Sequence, residues 1–543
     1  MKADNQDLGG SVRGATQGIS GTVYLVGGGP GDPGLLTLRG AELLGTADVV
    51  LHDELIHPSL LDLARPGALV RSVGKRGSDR ESKQAKQEAI EAELVLHARA
   101  GKRVVRLKGG DPFLFGRGSE EAEALVRAGI PFEVVPGVAS PLAATAYAGI
   151  SLTHRDFASS VILVSGTGRS GERFDWSEIA SVKGTVAVLM GMHNLGEVIA
   201  GLMGPGRRDP ATPAAVIQWG TRAEQRVVEG RLEEIAGNAR AEGIGSPGIL
   251  VVGAVASLRR SLRWFDTRPL FGKRVLLVRP KGQAGATARQ IRQRGAEAIE
   301  WPAIEIAPPP DPARVERLVG EMGDHDVVAF TSENGVEKLF EAIDAAGKDA
   351  RVFGRSAIAA IGTGTAAALA ARGIRADIVP PKDFRGEGLA DAILAHAEVA
   401  KRLSEGKAVR VAIPRALVAR EALPEILRAA GCAVDVVPVY ETRKASPERR
   451  AQLVRMVEDK RIDVVLLTAS STVDGLCDAL GEDAARLLGG VALASIGPIT
   501  TATAEKRGLS VAVTAEVSTL GGLIEAVERH FAGSSAGSRG ASR

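Results

Sequence analysis

The chain has 543 residues, of which 45% are hydrophobic and 24% are charged, and at about 150 residues per domain it should hold three or four domains. Its 68 Lys and Arg are interleaved with 65 Asp and Glu for a net charge of +3, which argues against a global field for nucleic acid or a membrane surface. Two cysteines, Cys432 and Cys477, exclude a disulfide scaffold and a four-thiolate metal centre. We expect a cytoplasmic protein without a metal cofactor.

Short Val, Ile and Leu runs alternate with helical patterns from Thr22 onward. This alternation predicts an α/β fold built on mostly parallel sheets. Gly and Ser recur in residues 1–20 and 533–543, which are predicted to be flexible tails. The longest stretch without Asp, Glu, Lys or Arg, Val134–His154, contains prolines and glycines, so we expect a loop and a small-residue helix there rather than a membrane span.

The first candidate ligand-binding loop is Gly27–Gly34, GGGPGDPG, which follows a predicted strand. A dinucleotide fingerprint is the first hypothesis for such a loop. The fit is poor because Pro30 and Pro33 restrain the loop and the helix is predicted to begin only near Thr37. A nicotinamide oxidoreductase is therefore retained only as an alternative, one that binding of NAD would favour.

Further strand-to-loop segments follow in a specific order. They read VLHDEL from Val50, SVGKRG from Ser72, VVRLKGGDPFLFGRGSEE from Val104, EVVPGVASPLAATAYAGISLTHR from Glu133, TVAVLMGMHNL from Thr185 and SPGILVVGAV from Ser246. Together they resemble the uroporphyrinogen III C-methyltransferases of the tetrapyrrole methylase family over residues 21–265. The resemblance implies two α/β lobes divided near 135–155, and a homodimer through this half.

The resemblance also implies that S-adenosylmethionine binds between the lobes and that two methyl groups pass to uroporphyrinogen III, giving precorrin-2. Glycines let backbone groups approach adenosine closely, and Asp111 can accept hydrogen bonds from ribose hydroxyls or the ligand's amine. The alternative for Asp111 is a turn or N-cap residue. The cofactor contacts carried over from the family are Pro30, Gly109, Gly110, Asp111, Leu114, Ala139, Ser140, Met190 and Gly220.

Asp53 and Lys75 match the family's proton acceptor and proton donor. A pyrrole carbon that attacks a methyl sulfonium must later lose a proton, which gives a carboxylate a role. Alternatively, Asp53 orients a loop, and Lys75 with Arg76 binds substrate carboxylates. Uroporphyrinogen III carries eight carboxylates, and the cations predicted at strand ends to bind them are Lys75, Arg76, Lys108, Arg117 and Arg155, with surface solvation as the alternative for each.

The chain departs from the family pattern in this half, and two of the departures bear on the site. Ala139 stands where a threonine is usual, which removes a hydrogen bond worth about 1 kcal/mol. The match is loose over Ser78–Lys86.

A basic and aromatic stretch, Leu258–Lys273, then separates two regions of different pattern, and we place a linker at 266–272.

Beyond this linker the sequence repeats at about 136 residues. DVVAFTSENGV from Asp326 corresponds to DVVLLTASSTV from Asp463, and AAIGTGTAAAL from Ala359 to ASIGPITTATA from Ala494. The repeat predicts two similar parallel-sheet lobes within 273–532, one of about 273–306 plus 440–532 and the other of 308–438. With PLFGKRVLLVRP from Pro269 and VYET from Val439, this half resembles uroporphyrinogen III synthase.

This second resemblance implies closure of hydroxymethylbilane with inversion of ring D and loss of water. Tyr440 matches the family tyrosine proposed to protonate the leaving group, and packing between lobes is its alternative. Hydroxyls at predicted helix N-termini suit carboxylate recognition, with simple helix capping as the alternative; they are Ser332, Thr365, Ser470, Ser471 and Thr500. Ala469 departs from relatives that often carry serine.

The two halves support each other because the product of the second is the substrate of the first. The sequence therefore predicts a bifunctional enzyme of tetrapyrrole biosynthesis with no nucleic-acid or membrane partner. The alternative is a methyltransferase fused to a tetrapyrrole-binding module without catalysis. Whether precorrin-2 continues to sirohaem or to cobalamin stays open.

Overall fold

The computed structural model describes residues 21–74, 83–167, 175–204, 207–278 and 285–538. It forms two compact units, Met1–Lys273 with Ile291–Glu297, and Arg274–Gln290 with Ala298–Arg543. The division falls beside the predicted linker, and the α/β class is confirmed by four five-stranded sheets with helices between their strands. No helix in the described ranges has the length and apolarity needed to cross a membrane.

The first sheet of the first unit has the order β3-β2-β4-β1-β5, with every neighbouring pair parallel. Its helices bury apolar side chains on both faces, those of α1 on one and those of α3 and α4 on the other, as a parallel sheet requires. The elements are β1 (Val23–Gly27), α1 (Leu38–Thr46), β2 (Val49–His52), α2 (Pro58–Leu61), β3 (Leu69–Ser72), α3 (Lys83–Arg99), β4 (Val104–Lys108), α4 (Gly118–Arg127), β5 (Phe132–Val135) and α5 (Ser140–Tyr147).

Local expectations for this region are confirmed. The helix after the glycine loop begins at Leu38, and the Thr37 side chain caps it by accepting a hydrogen bond from the Gly40 N–H at 3.1 Å. The uncharged stretch Val134–His154 contains the end of β5, a loop and α5.

The second sheet of the first unit is mixed, in the order β6-β7-β10-β8-β9; β6 and β7 are parallel and the other pairs antiparallel. Helices α6, α7 and α8 contribute to its apolar core. The elements are β6 (Val161–Ser165), α6 (Ser177–Ser181), β7 (Thr185–Leu189), α7 (Leu195–Leu202), β8 (Pro213–Gln218), β9 (Arg226–Arg231), α8 (Ile235–Ala241), β10 (Gly248–Val252) and α9 (Arg259–Leu262).

The second unit has two sheets, ordered β12-β11-β18-β19-β20 and β13-β17-β16-β14-β15. Its strands are β11 (Arg274–Leu277), β12 (Glu297–Glu300), β13 (Ile304–Ala307), β14 (Val327–Phe330), β15 (Ala357–Ala360), β16 (Val409–Ala416), β17 (Cys432–Lys444), β18 (Val464–Leu467), β19 (Ala492–Ser495) and β20 (Val513–Thr514). Its helices are α10 (Gly285–Gln293), α11 (Pro312–Glu321), α12 (Glu333–Ala345), α13 (Thr363–Ala371), α14 (Gly386–Ala395), α15 (Ala397–Ser404), α16 (Ala422–Ala429), α17 (Pro447–Glu458), α18 (Ser470–Leu480), α19 (Ala484–Leu487), α20 (Pro498–Lys506) and α21 (Leu520–Ser538).

Two boundaries in this unit differ from those drawn on the sequence. The 13-residue strand β17 is long enough to pair with β16 and then, from Glu441 to Lys444, with β13. This places 304–306 and 440–444 in the sheet that contains β13 to β17, although the sequence analysis assigns both segments to the lobe of 273–306 plus 440–532. Helix α21 also continues to Ser538, past residue 533 where a tail was expected.

Candidate functional site

The loops that follow β1, β4 and β5 meet at the carboxyl edge of the first sheet. Gly110, at a φ of +68°, donates its N–H to the Gly29 carbonyl at 2.8 Å. Gly137 approaches so closely that a Cβ there would lie 2.2 Å from the Gly110 oxygen. A side chain at Gly137 would therefore drive the loops apart, whereas a Cβ at Gly109 would meet nothing within 4 Å. Open space over Gly109 leaves room for a ligand beside the exposed backbone.

Asp111 ties these loops together through both carboxylate oxygens. Oδ1 accepts from the N–H groups of Phe113 at 2.8 Å and Leu114 at 3.1 Å, and Oδ2 accepts from the Gly137 N–H at 3.0 Å. This is the turn geometry given above as the alternative for Asp111. The carboxylate orders the glycine loops, and its contact with a ligand stays a prediction.

Asp53 follows β2 and reaches the same loop. Its Oδ2 accepts from the Gly109 N–H at 3.0 Å, and its Oδ1 accepts from the Arg106 guanidinium. The side chain is 33% exposed. Burial alone would raise the pKa of Asp53, but the charges of Arg106 and Lys108 and these hydrogen bonds lower it below its ordinary value. Asp53 is thus a charged carboxylate at neutral pH.

The charge beside Asp53 belongs to a buried network. Glu121, which is fully buried, accepts on Oε1 from Arg106 Nε at 3.1 Å and from Lys108 Nζ at 2.8 Å. Burial lowers the pKa of Lys108, as does the Arg106 charge, while Glu121 and Asp53 oppose this. Burial would lower the pKa of Arg106, but Asp53 and Glu121 raise it. Two anions and two cations therefore balance at this sheet edge.

The predicted substrate-binding cations differ in their surroundings. The Lys108 side chain is 3% exposed and bound to Glu121, so its geometry favours the buried network over direct contact with substrate. Arg117 precedes α4 at a φ of +57° and pairs with Glu120 at 2.6 Å. Arg155 lies exposed in the turn after His154. Lys75 and Arg76 lie outside the described residues.

The remaining predicted cofactor residues belong to both lobes of the first unit. Ala139 is the N-cap of α5 with no side-chain hydrogen bond to the helix, as expected when alanine replaces a hydroxyl residue. Met190 is 48% exposed at a φ of +54° after β7, and Gly220 packs against Ala144. The others lie on the first lobe's loops: Pro30 after β1, Leu114 between β4 and α4, and Ser140 at the start of α5.

In the second unit Tyr440 and Ser332 form a hydroxyl pair. Tyr440 on β17 is 5% exposed, and its hydroxyl lies 3.1 Å from the Ser332 hydroxyl. Ser332 caps α12 by accepting from the Gly335 N–H at 3.0 Å. The register between β16 and β17 shifts beside Tyr440, and bulges of this kind often re-aim a side chain near a functional site.

The other predicted hydroxyls lie in the first turns of helices that follow strands. Thr365 on α13 and Thr500 on α20 are both buried. Ser470, the first residue of α18, contacts the Thr503 hydroxyl at 2.8 Å, and Ser471 is exposed. Ala469, the N-cap of α18, has no side-chain bond to the helix. Their contact with substrate carboxylates stays a prediction.

Sequence reasoning missed Arg106 and Glu121. An arginine and a lysine at alternate positions of the apolar strand VVRLK share one face, which is a signal that something anionic must face them. Glu121 could not be identified as that partner because its contact with β4 depends on how α4 packs.

Residues 22–236 match the family model for Tetrapyrrole (Corrin/Porphyrin) Methylases, and residues 285–525 match that for Uroporphyrinogen-III synthase HemD. The Porphyrin biosynthesis protein HemD of Ruminiclostridium josui is 37% identical over 507 residues, covering 93% of this chain and 97% of the relative. The Uroporphyrinogen-III C-methyltransferase of Bacillus subtilis (strain 168) is 40% identical over 327 residues, 60% of this chain and 66% of that protein. The solved Uroporphyrin-III C-methyl transferase from Thermus thermophilus, complexed with S-adenyl homocysteine, is 44% identical with a TM-score of 0.38, covering 44% of this chain and 100% of that one.

Two family matches lie on the two structural units in the order that the sequence predicts, and one relative is similar over almost its whole length. The chain therefore belongs to the family of bifunctional tetrapyrrole-biosynthesis enzymes in which a uroporphyrinogen-III C-methyltransferase domain precedes a uroporphyrinogen-III synthase domain.

Proposed function

We propose that the second unit converts hydroxymethylbilane to uroporphyrinogen III and that the first unit methylates this product twice with S-adenosylmethionine, giving precorrin-2. The observation that carries the methyl-transfer proposal is the bond from the Gly109 N–H to Asp53 at 3.0 Å. It joins the carboxylate suited to act on the substrate to the glycine loop suited to hold the methyl donor. The proposed proton acceptor and the proposed methyl-donor loop are therefore hydrogen-bonded to each other.

S-adenosylmethionine supplies a methyl group on a positively charged sulfur. A pyrrole carbon forms the new C–C bond as the S–CH₃ bond breaks, S-adenosylhomocysteine leaves, and the methylated ring carries the positive charge until it loses a proton. Asp53 stays ionised because its pKa is held low chiefly by Arg106, against its burial. A weak base suffices here because deprotonation of a cationic ring is favourable, and Asp53 Oδ atoms can accept the proton or stabilise the cation.

The backbone around Gly109 and Gly110 is suited to bind the donor's adenosine, supported by the open space at Gly109. Asp111 would act by holding this loop against Gly137. The proposed cofactor site is completed by Pro30, Leu114, Ala139, Ser140, Met190 and Gly220. The proposed substrate site consists of Arg117 and Arg155 together with Lys75 and Arg76.

In the synthase, the pyrrole nitrogen's electrons expel the hydroxyl group of hydroxymethylbilane. The C–O bond breaks, and Tyr440 Oη gives the proton with which the hydroxyl leaves as water; ring closure later releases a proton that restores the tyrosine. Ser332 supports this role because its O–H can donate to Tyr440 Oη while its oxygen accepts from Gly335. Thr365, Ser470, Ser471 and Thr500 are proposed to bind substrate carboxylates at helix N-termini.

The test is anaerobic incubation of the full chain with hydroxymethylbilane, with and without S-adenosylmethionine, followed by chromatography and mass spectrometry. We expect the type III isomer alone without the methyl donor and a dimethylated product with it. Asp53→Asn should stop the reaction at uroporphyrinogen III, and Tyr440→Phe should leave methylation of supplied uroporphyrinogen III intact. Accumulation of only the type I isomer would instead favour a tetrapyrrole-binding second unit without catalysis.

We also propose that the chain forms a homodimer through its methyltransferase half, as is common in that family. Sedimentation analysis of the full chain should give twice the monomer mass of 56.4 kDa. A monomer across the concentrations at which methyl transfer is measured would refute the dimer without affecting the two reactions.

A further inference from the structure

A hydrogen-bonded chain joins the two lobes of the first unit beside the proposed cofactor site. The Tyr147 hydroxyl, at the end of α5, donates to Asp32 Oδ2 at 2.7 Å. The Asp32 N–H donates in turn to Thr221 Oγ1 at 3.0 Å. Asp32 lies on the loop after β1 and Thr221 on the loop between β8 and β9, so one carboxylate residue connects loops from both sheets.

These two loops carry proposed cofactor contacts. Pro30 lies two residues before Asp32, and Gly220 immediately precedes Thr221. Thr221 has a φ of +71°, which is costly for a β-branched residue and persists only where its surroundings hold it. Gln225 provides such a hold by accepting from the Thr221 N–H at 2.9 Å and donating to the Tyr147 carbonyl at 3.3 Å.

The Tyr147 ring is fixed by aromatic side chains that precede the second unit. Its centroid lies 5.0 Å from Trp264 and 4.8 Å from Phe265, both edge-on, and Trp264 Nε1 donates to the Ala146 carbonyl at 2.9 Å. Burial raises the pKa of the Tyr147 hydroxyl, as does its bond to Asp32, so it remains a proton donor at neutral pH. The ring packing leaves the hydroxyl aimed at Asp32.

We propose that Tyr147 is a positioning residue for the methyl-donor site, and that its bond to Asp32 holds the Pro30 loop against the Gly220 loop before the donor binds. This inference rests on the proposed cofactor contacts at Pro30 and Gly220. A loop ordered in advance does not lose conformational freedom when the ligand binds, which increases affinity. Loss of the hydroxyl should therefore weaken donor binding without changing the groups that perform the chemistry.

The test compares Tyr147→Phe with Tyr24→Phe in the full chain. Tyr24 lies in β1 of the same unit, and its hydroxyl has no hydrogen-bond partner among the described residues. Calorimetric titration with S-adenosylhomocysteine should give a dissociation constant about tenfold higher for Tyr147→Phe, as expected for loss of a hydrogen bond to a carboxylate, and an unchanged one for Tyr24→Phe. In steady state, KM for S-adenosylmethionine should rise while kcat stays within about twofold of wild type.

Thr221 provides a second test that does not alter the aromatic packing. Thr221→Val removes the hydroxyl that accepts from Asp32 and should raise the dissociation constant, whereas Thr221→Ser keeps it and should not. If circular dichroism shows that Tyr147→Phe does not fold, the comparison of Thr221→Val with Thr221→Ser tests the proposal in its place. Wild-type affinity in both Tyr147→Phe and Thr221→Val overturns the inference, as does a fall in kcat with KM unchanged. A wild-type chain that does not bind S-adenosylhomocysteine refutes the proposed function itself.

Discussion

Arg106 donates a hydrogen bond from its guanidinium to the carboxylate of Asp53, and this pair sets the charge state at the carboxyl edge of the first sheet. The folded pKa of Asp53 lies below its ordinary value, which in an unfolded chain is about 3.9. Asp53 therefore contributes stability that is fully present above that pH and is lost as the pH falls through the folded pKa. Near neutrality the pair is intact and Asp53 is ionised.

Replacement of Arg106 should raise the pKa of Asp53 from its lowered value in the folded protein. In Arg106→Gln the principal lowering charge is gone while burial, which raises the pKa, remains. The acid limb of the methyl-transfer rate should then move to higher pH, measured in single turnovers with saturating S-adenosylmethionine. Arg39→Gln is the control, because Arg39 is an exposed residue of α1 that pairs with Glu133. An unchanged acid limb in Arg106→Gln would show that Asp53 does not control the rate.

Glu121 should be among the most stabilising charged residues of the first unit. Glu121→Gln leaves Arg106 and Lys108 buried together without their shared anion, which should cost about 3–5 kcal/mol. Glu120→Gln, at the neighbouring position, removes only an exposed pair with Arg117 and should cost less than about 1 kcal/mol. Hydrogen exchange of the β4 amides in increasing urea measures both, because it reports on this sheet alone.

A charge-balanced variant separates the burial of a charge from loss of packing. Lys108→Met in the Glu121→Gln background removes the surplus cation and should recover part of the lost stability. If the double variant exchanges faster than Glu121→Gln, the buried charges are not what stabilises this edge.

The sequence predicts the order of strands and loops well because prolines, glycines and helix caps act on their immediate neighbours in the chain. Pro30, Pro33 and the Thr37 cap set the start of the first α-helix at Leu38, which can be deduced from residue types alone. The position of Lys108 is different. Its place at a strand end suggests a surface cation, whereas the fold buries it against Glu121, thirteen residues later in sequence. Such contacts depend on helix packing and cannot be obtained from a local pattern.

The same distinction applies to the lobes of the second unit. The internal repeat predicts two similar sheets, but β17 continues past Tyr440 and pairs with β13. Tertiary contacts set the length of a strand that passes between lobes and the strand with which it pairs. The repeat carries no information on these contacts, so it assigns the end of β17 to the wrong lobe. The link between Tyr147 and Asp32 was missed for a similar reason, since 115 residues separate them.

Ser332 is expected to act on Tyr440 as well as on its own helix. Ser332→Ala removes the α12 cap, at about 1 kcal/mol, and also the hydroxyl beside Tyr440. Formation of uroporphyrinogen III from hydroxymethylbilane should fall at least tenfold, while methylation of supplied uroporphyrinogen III should be unchanged. Ser446→Ala is the control because Ser446 caps α17 by accepting from the Arg449 N–H. Equal activity of the two variants would reduce Ser332 to a helix cap.

Gly137 should not tolerate a side chain. A Cβ there would lie 2.2 Å from the Gly110 oxygen, so Gly137→Ala must separate the two loops and should reduce S-adenosylhomocysteine affinity at least tenfold. Gly237→Ala is the matched change, since Gly237 lies within α8 and its Cβ meets nothing within 4 Å. It should stabilise the unit by about 0.5–1 kcal/mol. Calorimetry and thermal unfolding measure both, and wild-type binding by Gly137→Ala would contradict the proposed cofactor loop.

Ala139 offers a gain of binding rather than a loss. It is the N-cap of α5 in extended conformation and makes no side-chain bond to the helix, so Ala139→Ser should supply a cap worth about 0.5–2 kcal/mol. If the usual hydroxyl at this position also contacts the donor, affinity for S-adenosylhomocysteine should rise, by up to about tenfold. Ala469→Ser makes the equivalent change at the N-cap of α18 in the second unit. It should stabilise that unit without changing S-adenosylhomocysteine binding, and an equal gain in stability with no gain in affinity at Ala139 would remove this residue from the cofactor site.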